Sequence, residues 1–445
     1  MMNWDKLIND KRLGLEDYHN SRQGSRSDFQ RDFDRLVFSS PFRRLQNKTQ
    51  VFPLPGSIFV HNRLTHSMEV ASVGRSLANE ISTVLKTKYA SEPWVEKLDA
   101  LDEIVGAACL AHDLGNPPFG HSGEKAISTF FSEGPGSVLN PMLTERQWTD
   151  LINFEGNANS FRLLTHQFNG RRPGGFAMTY SMLASIVKYP YESRMAGGKS
   201  KFGFFESEVE TFQRIADELG MIPKYGKNGE VRYARHPLVY IVEAADDICY
   251  QVMDIEDAHK LRVLLTHEVI DTFMSFFPEE RRQKMHKTMD KVDDPNEKIA
   301  YLRSCVIDTL VKECAKAFVE NEDKILSGTF EGSLLDHISR LEKEGYQRCS
   351  ALAWAKIYRA SDVVDIELAG NRIISFLMEK LIHAVRFPEL NYSSLLLSKV
   401  PKQYDISAPT LYGKIQAVLD HISGMTDVYA LDLYRKLCGM SLPAV

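Results

Sequence analysis

The chain has 445 residues, 43% of them hydrophobic and 25% charged, with a formal net charge of −5. That balance is ordinary for a globular protein and lacks the basic excess of a dedicated nucleic-acid or membrane-surface binder. No apolar run approaches the ~20 residues of a membrane span, and the charged start "MMNWDKLINDKRLG" lacks the core of a secretory signal, so a cytoplasmic location is expected.

The N-terminal arm, residues 1–60, is strongly charged, with Arg22, Arg26, Arg31, Arg35, Arg43 and Arg44. Phe29, Phe33, Leu36 and Val37 recur among them at helical spacing, so the arm is expected to pack rather than float in solvent. Pro53 and Pro55 in "VFPLPGSIFVHN" point to an irregular, partly extended link.

Residues 61–260 read as the central region of the chain. From Thr65 onward helical patterns dominate: Met68, Val70, Val73 and Leu77 form one apolar stripe, and Leu101, Ile104, Val105, Ala108 and Leu110 another. Segments 133–141 and 168–177 are turn-rich breaks. Residues 194–208, "RMAGGKSKFGFFESE", have the composition of a surface loop, though such Gly/Lys segments also close over phosphates. The Asn228-Gly229 pair in 225–237 predicts a small hairpin, and "LVYIVEAADDICYQVMDIEDAHK" after it one unbroken helix.

Residues 261–445 continue as amphipathic helices packed on the core, for example "NRIISFLMEKLIHAV" at 371–385. The expected fold is all-α, with at most one small β-hairpin and no internal repeat. Six cysteines, Cys109, Cys249, Cys305, Cys314, Cys349 and Cys438, have no CxxC spacing and suit reduced thiols better than a disulfide frame or zinc ribbon.

Three groups of residues carry candidate chemistry. Asp246, Tyr250 and Asp254 stand at i, i+4 and i+8, so they share a helix face; the stripe serves a ligand or is a solvated face. His112-Asp113 ends an apolar helical run, where a charged carboxylate is costly unless paired or metal-bound. His66 follows Arg63 by three residues at a helix start, and imidazole with carboxylate suits several divalent metals. His121 and Glu124, i and i+3 after "GNPPFG", form either a proton-transfer pair or a histidine beside an ordinary first-turn acid.

The strings "HNRLTHSMEVA", "AACLAHDLGNPPFGHSGEKA" and "EAADDICYQVMDIED" together resemble the H…HD…D pattern of HD-domain phosphohydrolases. More narrowly, "FSSPFRRLQNKTQVFPLP" followed by "HNRLTHS" resembles the deoxynucleoside triphosphate triphosphohydrolase (dGTPase) branch, from about Phe29 to about Asp257 and more weakly beyond. The resemblance implies an HD-type helical core with a helical C-terminal extension. It implies one divalent ion (Mg, Mn, Fe, Ni or Zn) on His66, His112, Asp113 and Asp246, with Asp247 the alternative if the register slips by one.

On the same basis His121 is the catalytic histidine with Glu124 its acidic partner, and Arg63 meets the phosphates. Tyr250 packs on the deoxyribose, Asp254 reads its 3′-hydroxyl, Gln46 lies against the sugar, and Lys188, Tyr189 and Lys201 contact the triphosphate. Asn116 departs from relatives that carry histidine there, which leaves a second histidine at the phosphate in doubt. The implied reaction converts a deoxynucleoside triphosphate to deoxynucleoside and tripolyphosphate, in a homo-oligomer for which a hexamer is one candidate. The alternatives are another HD phosphohydrolase, such as a 5′-nucleotidase or alarmone hydrolase, or a non-catalytic nucleotide sensor or single-stranded DNA or RNA binder, which the arginine-rich arm favours.

Overall fold

Helices carry the architecture in a computed structural model that describes residues 1–16, 26–52, 60–197, 200–226 and 230–440. Arg22, the Pro53 and Pro55 link and the Asn228-Gly229 pair lie outside these residues. Among the described residues the sheet is a two-stranded antiparallel ribbon, β1 (Pro223–Tyr225) and β2 (Val231–Tyr233), with Pro223 opposite Tyr233. The all-α expectation holds, and no helix among the described residues is long and apolar enough to cross a membrane.

The arm is structural. Helix α1 (Asp28–Val37) is capped by Ser27, whose Oγ accepts Gln30 N at 3.0 Å, and it buries Phe29 and Leu36. Arg12 locks it down through Asp32 at 2.6 Å and Asp28 at 2.9 Å.

Helix α2 (Arg63–Lys88) starts two residues ahead of the expected Thr65 because Asn62 and Thr65 form a reciprocal capping box. Its buried face runs through His66, Val70, Val73, Leu77 and Ile81, but Met68 is 55% exposed and does not belong to the stripe. Two residues of helix are about 200° of rotation, so Met68 points away from Val70. Helix α3 (Leu101–Ala111) is buried at Leu101 and from Ile104 to Ala111 beside α2. The two approach closely at Gly74, where an added Cβ would lie 2.6 Å from Cys109 Sγ.

Next come α4 (Gly120–Ser132), α5 (Gly156–Thr165) and the long α6 (Pro237–Lys260). Helix α6 packs on α2, as does α7 (Pro295–Glu320), and α8 (Arg340–Lys356) covers the other side of α6. A second apolar core joins α4 to α9 (Ser361–Arg386) and α10 (Leu411–Ser423), with α11 (Asp427–Leu437) against α9. The C-terminal region therefore packs directly on the helix that carries His121.

Two irregular segments differ from their expected form. The break at 133–141 is mostly a 3₁₀ helix, Pro135–Met142, which runs one residue past it. The 194–208 segment is no plain surface loop: Phe202, Phe204 and Phe205 are buried and anchor it, while Lys201 lines the central cavity. All six cysteines are unbonded, with Cys438 the exposed one.

Candidate active site

The close approach at Gly74 brings the first turn of α2 near the end of α3, so the His66 and His112 rings lie 5.4 Å apart. Asp246 joins them from α6, its Oδ1 being 3.0 Å from His66 Nε2 and 3.5 Å from His112 Nε2. Ligand atoms of these three residues all fall within 4.8 Å of one another. His112 Nδ1 donates to the Cys109 carbonyl at 2.6 Å, which fixes the ring orientation and leaves Nε2 as the nitrogen that faces Asp246. That Nε2 is buried without a hydrogen-bond partner, as expected of a nitrogen built to ligate. The donor set thus fits a divalent cation.

Burial alone would raise the Asp246 carboxyl, but His112 and then His66 outweigh it and hold the group well below the usual carboxylate range. Burial likewise opposes charge on His112, yet Asp113 and Asp246 raise its pKa to about 9. Asp113 stands beside the three: its Oδ2 is 3.6 Å from His112 Nε2 but 2.6 Å from Arg63 Nη1, and its Oδ1 accepts Asn116 Nδ2 at 2.5 Å.

After Asp113 the chain turns sharply. Phe119 (φ 63°) and Gly120 (φ 58°) are both left-handed, and an added Cβ at Gly120 would lie 2.4 Å from Arg63 Nη2. This turn starts α4 and puts His121 on its first turn, 78% exposed, with Nδ1 3.0 Å from Glu124 Oε2. Glu124 is buried, and its other oxygen accepts Gly156 N from the start of α5 at 3.1 Å. The hydrogen bond and charge of Glu124 raise the His121 pKa; although burial opposes ionisation, His121 and Lys201 keep Glu124 below its ordinary value.

Both groups border one cavity of about 340 Å³. Of the residues singled out in the sequence, Arg63, His112, Asp113, His121, Glu124, Lys188, Tyr189, Lys201, Asp246, Asp247 and Tyr250 line it. His66 lies behind its wall at 2% exposure. Gln46 is exposed and does not line the cavity; Gln50 does, with a buried Oε1 that has no partner. Lys201 is 2.6 Å from Glu155 and Lys188 3.0 Å from Glu243, so these cations are held by carboxylates that spacing did not reveal. Asp247 stands outside the three-residue cluster, and burial raises it to about 7. Asp254 is buried off the cavity, accepting Tyr358 Oη at 2.8 Å, and burial raises its pKa to about 8. Tyr358, absent from the sequence reading, stacks on Tyr250 at 5.8 Å.

Comparison with known proteins gives the family. The HD domain model matches residues 63–146, and the phosphohydrolase-associated domain model matches residues 338–436. A deoxyguanosinetriphosphate triphosphohydrolase-like protein of Pseudomonas aeruginosa is 37% identical over the whole of both chains. One from Synechocystis is 36% identical over 99% of this chain and 100% of its own. A deoxyguanosinetriphosphate triphosphohydrolase of Yersinia enterocolitica is 30% identical over 92% of this chain and 93% of its own. With the HD domain model matched and relatives aligning end to end, the chain belongs to the deoxyguanosinetriphosphate triphosphohydrolase-like family of HD-domain phosphohydrolases.

Proposed function

We propose that the protein hydrolyses deoxynucleoside triphosphates, dGTP among them, to deoxynucleoside and inorganic tripolyphosphate. The observation that carries this is the shared cavity: the His66–His112–Asp246 cluster, the His121–Glu124 pair, the cations Arg63, Lys188 and Lys201 and the Tyr250 ring converge there. His66, His112 and Asp246, with Asp113 as the fourth ligand, would hold one divalent ion (Mg, Mn, Fe, Ni or Zn). Such an ion supplies Lewis-acid polarisation of phosphate oxygen and a lowered pKa for water.

The protein's own groups do the rest. Arg63, Lys188 and Lys201 neutralise and orient the polyanion, with Tyr189 beside them. The Tyr250 ring packs against C2′ of the sugar and excludes a 2′-hydroxyl, while Asp254, off the cavity rather than at the 3′-hydroxyl, holds Tyr358 stacked against that ring. Gln50 takes the sugar-facing place first expected of Gln46. Water attacks the α-phosphorus, the bond to the 5′-oxygen breaks, and that oxygen takes the proton of His121. Glu124 keeps the imidazole charged and aimed, and the proton lost by the attacking water restores it.

The test is a panel of deoxy- and ribonucleoside triphosphates scored by product. Tripolyphosphate supports the reading; orthophosphate or pyrophosphate assigns the chain to another HD phosphohydrolase. His121→Ala should cut turnover by roughly 10²–10⁴-fold with metal retained, and Asp246→Ala should empty the site.

The same reading carries a cytoplasmic homo-oligomer, with a hexamer one candidate. Leu390, Tyr392 and Leu395, exposed at 46%, 53% and 62%, offer an apolar face for a second copy, and sedimentation tests it. Single-stranded DNA is a second ligand. Arg44 and Arg171 border a cavity of about 380 Å³ beside the exposed Phe38, with no carboxylate partner among the described residues. Salt-dependent binding of an oligonucleotide tests that reading.

A further inference from the structure

The C-terminal region reaches the loop that launches His121. Asp427 opens α11, and its side chain is almost fully buried against residues far away in the chain. Its Oδ1 accepts Phe119 N at 2.9 Å, and its Oδ2 accepts Thr49 N at 2.8 Å and Thr49 Oγ1 at 2.6 Å. A second tie runs parallel to it. The buried ammonium of Lys48 donates to the Asn116 carbonyl at 2.5 Å and to the Ser423 carbonyl at 2.7 Å, so one side chain joins both ends of the same gap. Asn116 in turn donates to Asp113.

What these ties hold is a turn that resists holding itself. Phe119 is a bulky residue at φ 63°, a conformation that persists only where its surroundings over-determine it. As the residue before α4, its N–H has no partner inside the helix. A carboxylate supplies the stronger, charge-assisted acceptor. Helix α9 closes the turn from outside: a Cβ at Gly370 would sit 2.8 Å from Phe119 Cβ, and Ser122 Oγ donates to the Glu367 carbonyl at 3.0 Å.

We infer that Asp427 is a positioning residue for His121, fixing the left-handed Phe119 turn from the C-terminal region so that α4 delivers the imidazole to Glu124 and the cavity. This rests on the reading of His121 as proton donor. Asp427→Asn preserves shape but turns an N–H₂ toward a donor, so Phe119 N or Thr49 loses its acceptor. Freed of that bond, the turn relaxes and carries His121 with it.

The test is steady-state kinetics with dGTP on the full chain for Asp427→Asn, His121→Ala and the double variant. Asp427→Asn should lower kcat about 10²-fold, the cost of a ~1 Å misplacement, with KM and metal content unchanged. The double variant should be no slower than His121→Ala alone, because a residue acting through His121 then has nothing to position. Lys48→Met removes the parallel tie and should give the same pattern; it is the variant to read if Asp427→Asn does not fold. Undiminished kcat, a KM increase alone, or a loss that multiplies in the double variant overturns the inference. A fully active His121→Ala overturns the proton-donor reading and this inference with it. A slow His121→Ala beside a fast Asp427→Asn overturns the positioning role alone.

Discussion

Gly156→Ala tests whether the site is as tightly set as its distances imply. Gly156 opens α5, and its N–H donates to Glu124, the residue that aims His121. A Cβ built there would lie 2.4 Å from Glu124 Oε1 and 2.0 Å from Asn116 Oδ1. Ordinary contact begins near 3.4 Å, so Glu124 must retreat by 3.4 − 2.4 = 1.0 Å and Asn116 by 3.4 − 2.0 = 1.4 Å. The first shift breaks the 3.0 Å contact to His121, and the second disturbs the amide that holds Asp113. Both side chains have their polar ends committed to hydrogen bonds, so a retreat costs them those partners.

Overpacking of this kind costs about 1–3 kcal/mol of stability, and a misplacement of ~1 Å at a reacting group costs about 10²-fold in rate. Urea unfolding should register the first, and kcat with a deoxynucleoside triphosphate the second. The rate loss should exceed what the unfolded fraction explains, since a few kcal/mol leaves most molecules folded. An alanine variant with wild-type kcat would mean that Glu124 does not aim His121, whatever happened to stability.

Two further outcomes follow from buried charge. Arg162 is clamped between Asp420, at 2.9 and 2.8 Å, and Glu208, at 2.7 Å, all buried, so Arg162→Met should destabilise by about 3–5 kcal/mol in urea melts by stranding both carboxylates. A loss below ~1 kcal/mol would show the triad to be solvated. His61 lies 2.8 Å from Asp257 and 2.9 Å from Glu69, which raise its pKa to about 10 against the effect of burial. Because the folded value exceeds the unfolded one near 6.5, this contribution is fully present below pH ~6.5 and is lost as pH rises through about 10. The stability gap between wild type and His61→Gln should therefore narrow across that window, and a gap independent of pH would refute the assignment.

Local physics wrote much of this protein openly in its residues. Helical periodicity and the breaker loop after His112-Asp113 are set by near neighbours, and so were readable; the Asn62–Thr65 cap is equally local, yet the expected start at Thr65 missed it. The His121–Glu124 pair was readable for the same reason, since i and i+3 share a helix face. Met68 was readable in principle too, because rotation about the helix axis alone turns it outward.

Meetings between distant segments were not readable. Spacing could not separate Asp246 from Asp247, because that choice depends on how α6 is rotated against α2 and α3. Nor could it choose Gln50 over Gln46 in one short string, pair Lys201 with Glu155, or bring Tyr358 to Asp254. The C-terminal grip on Phe119 joins residues 308 positions apart. Residue identity and spacing determined the chemical kinds and their local bearing; helix packing, made close by a missing side chain at Gly74, decided which of them touch.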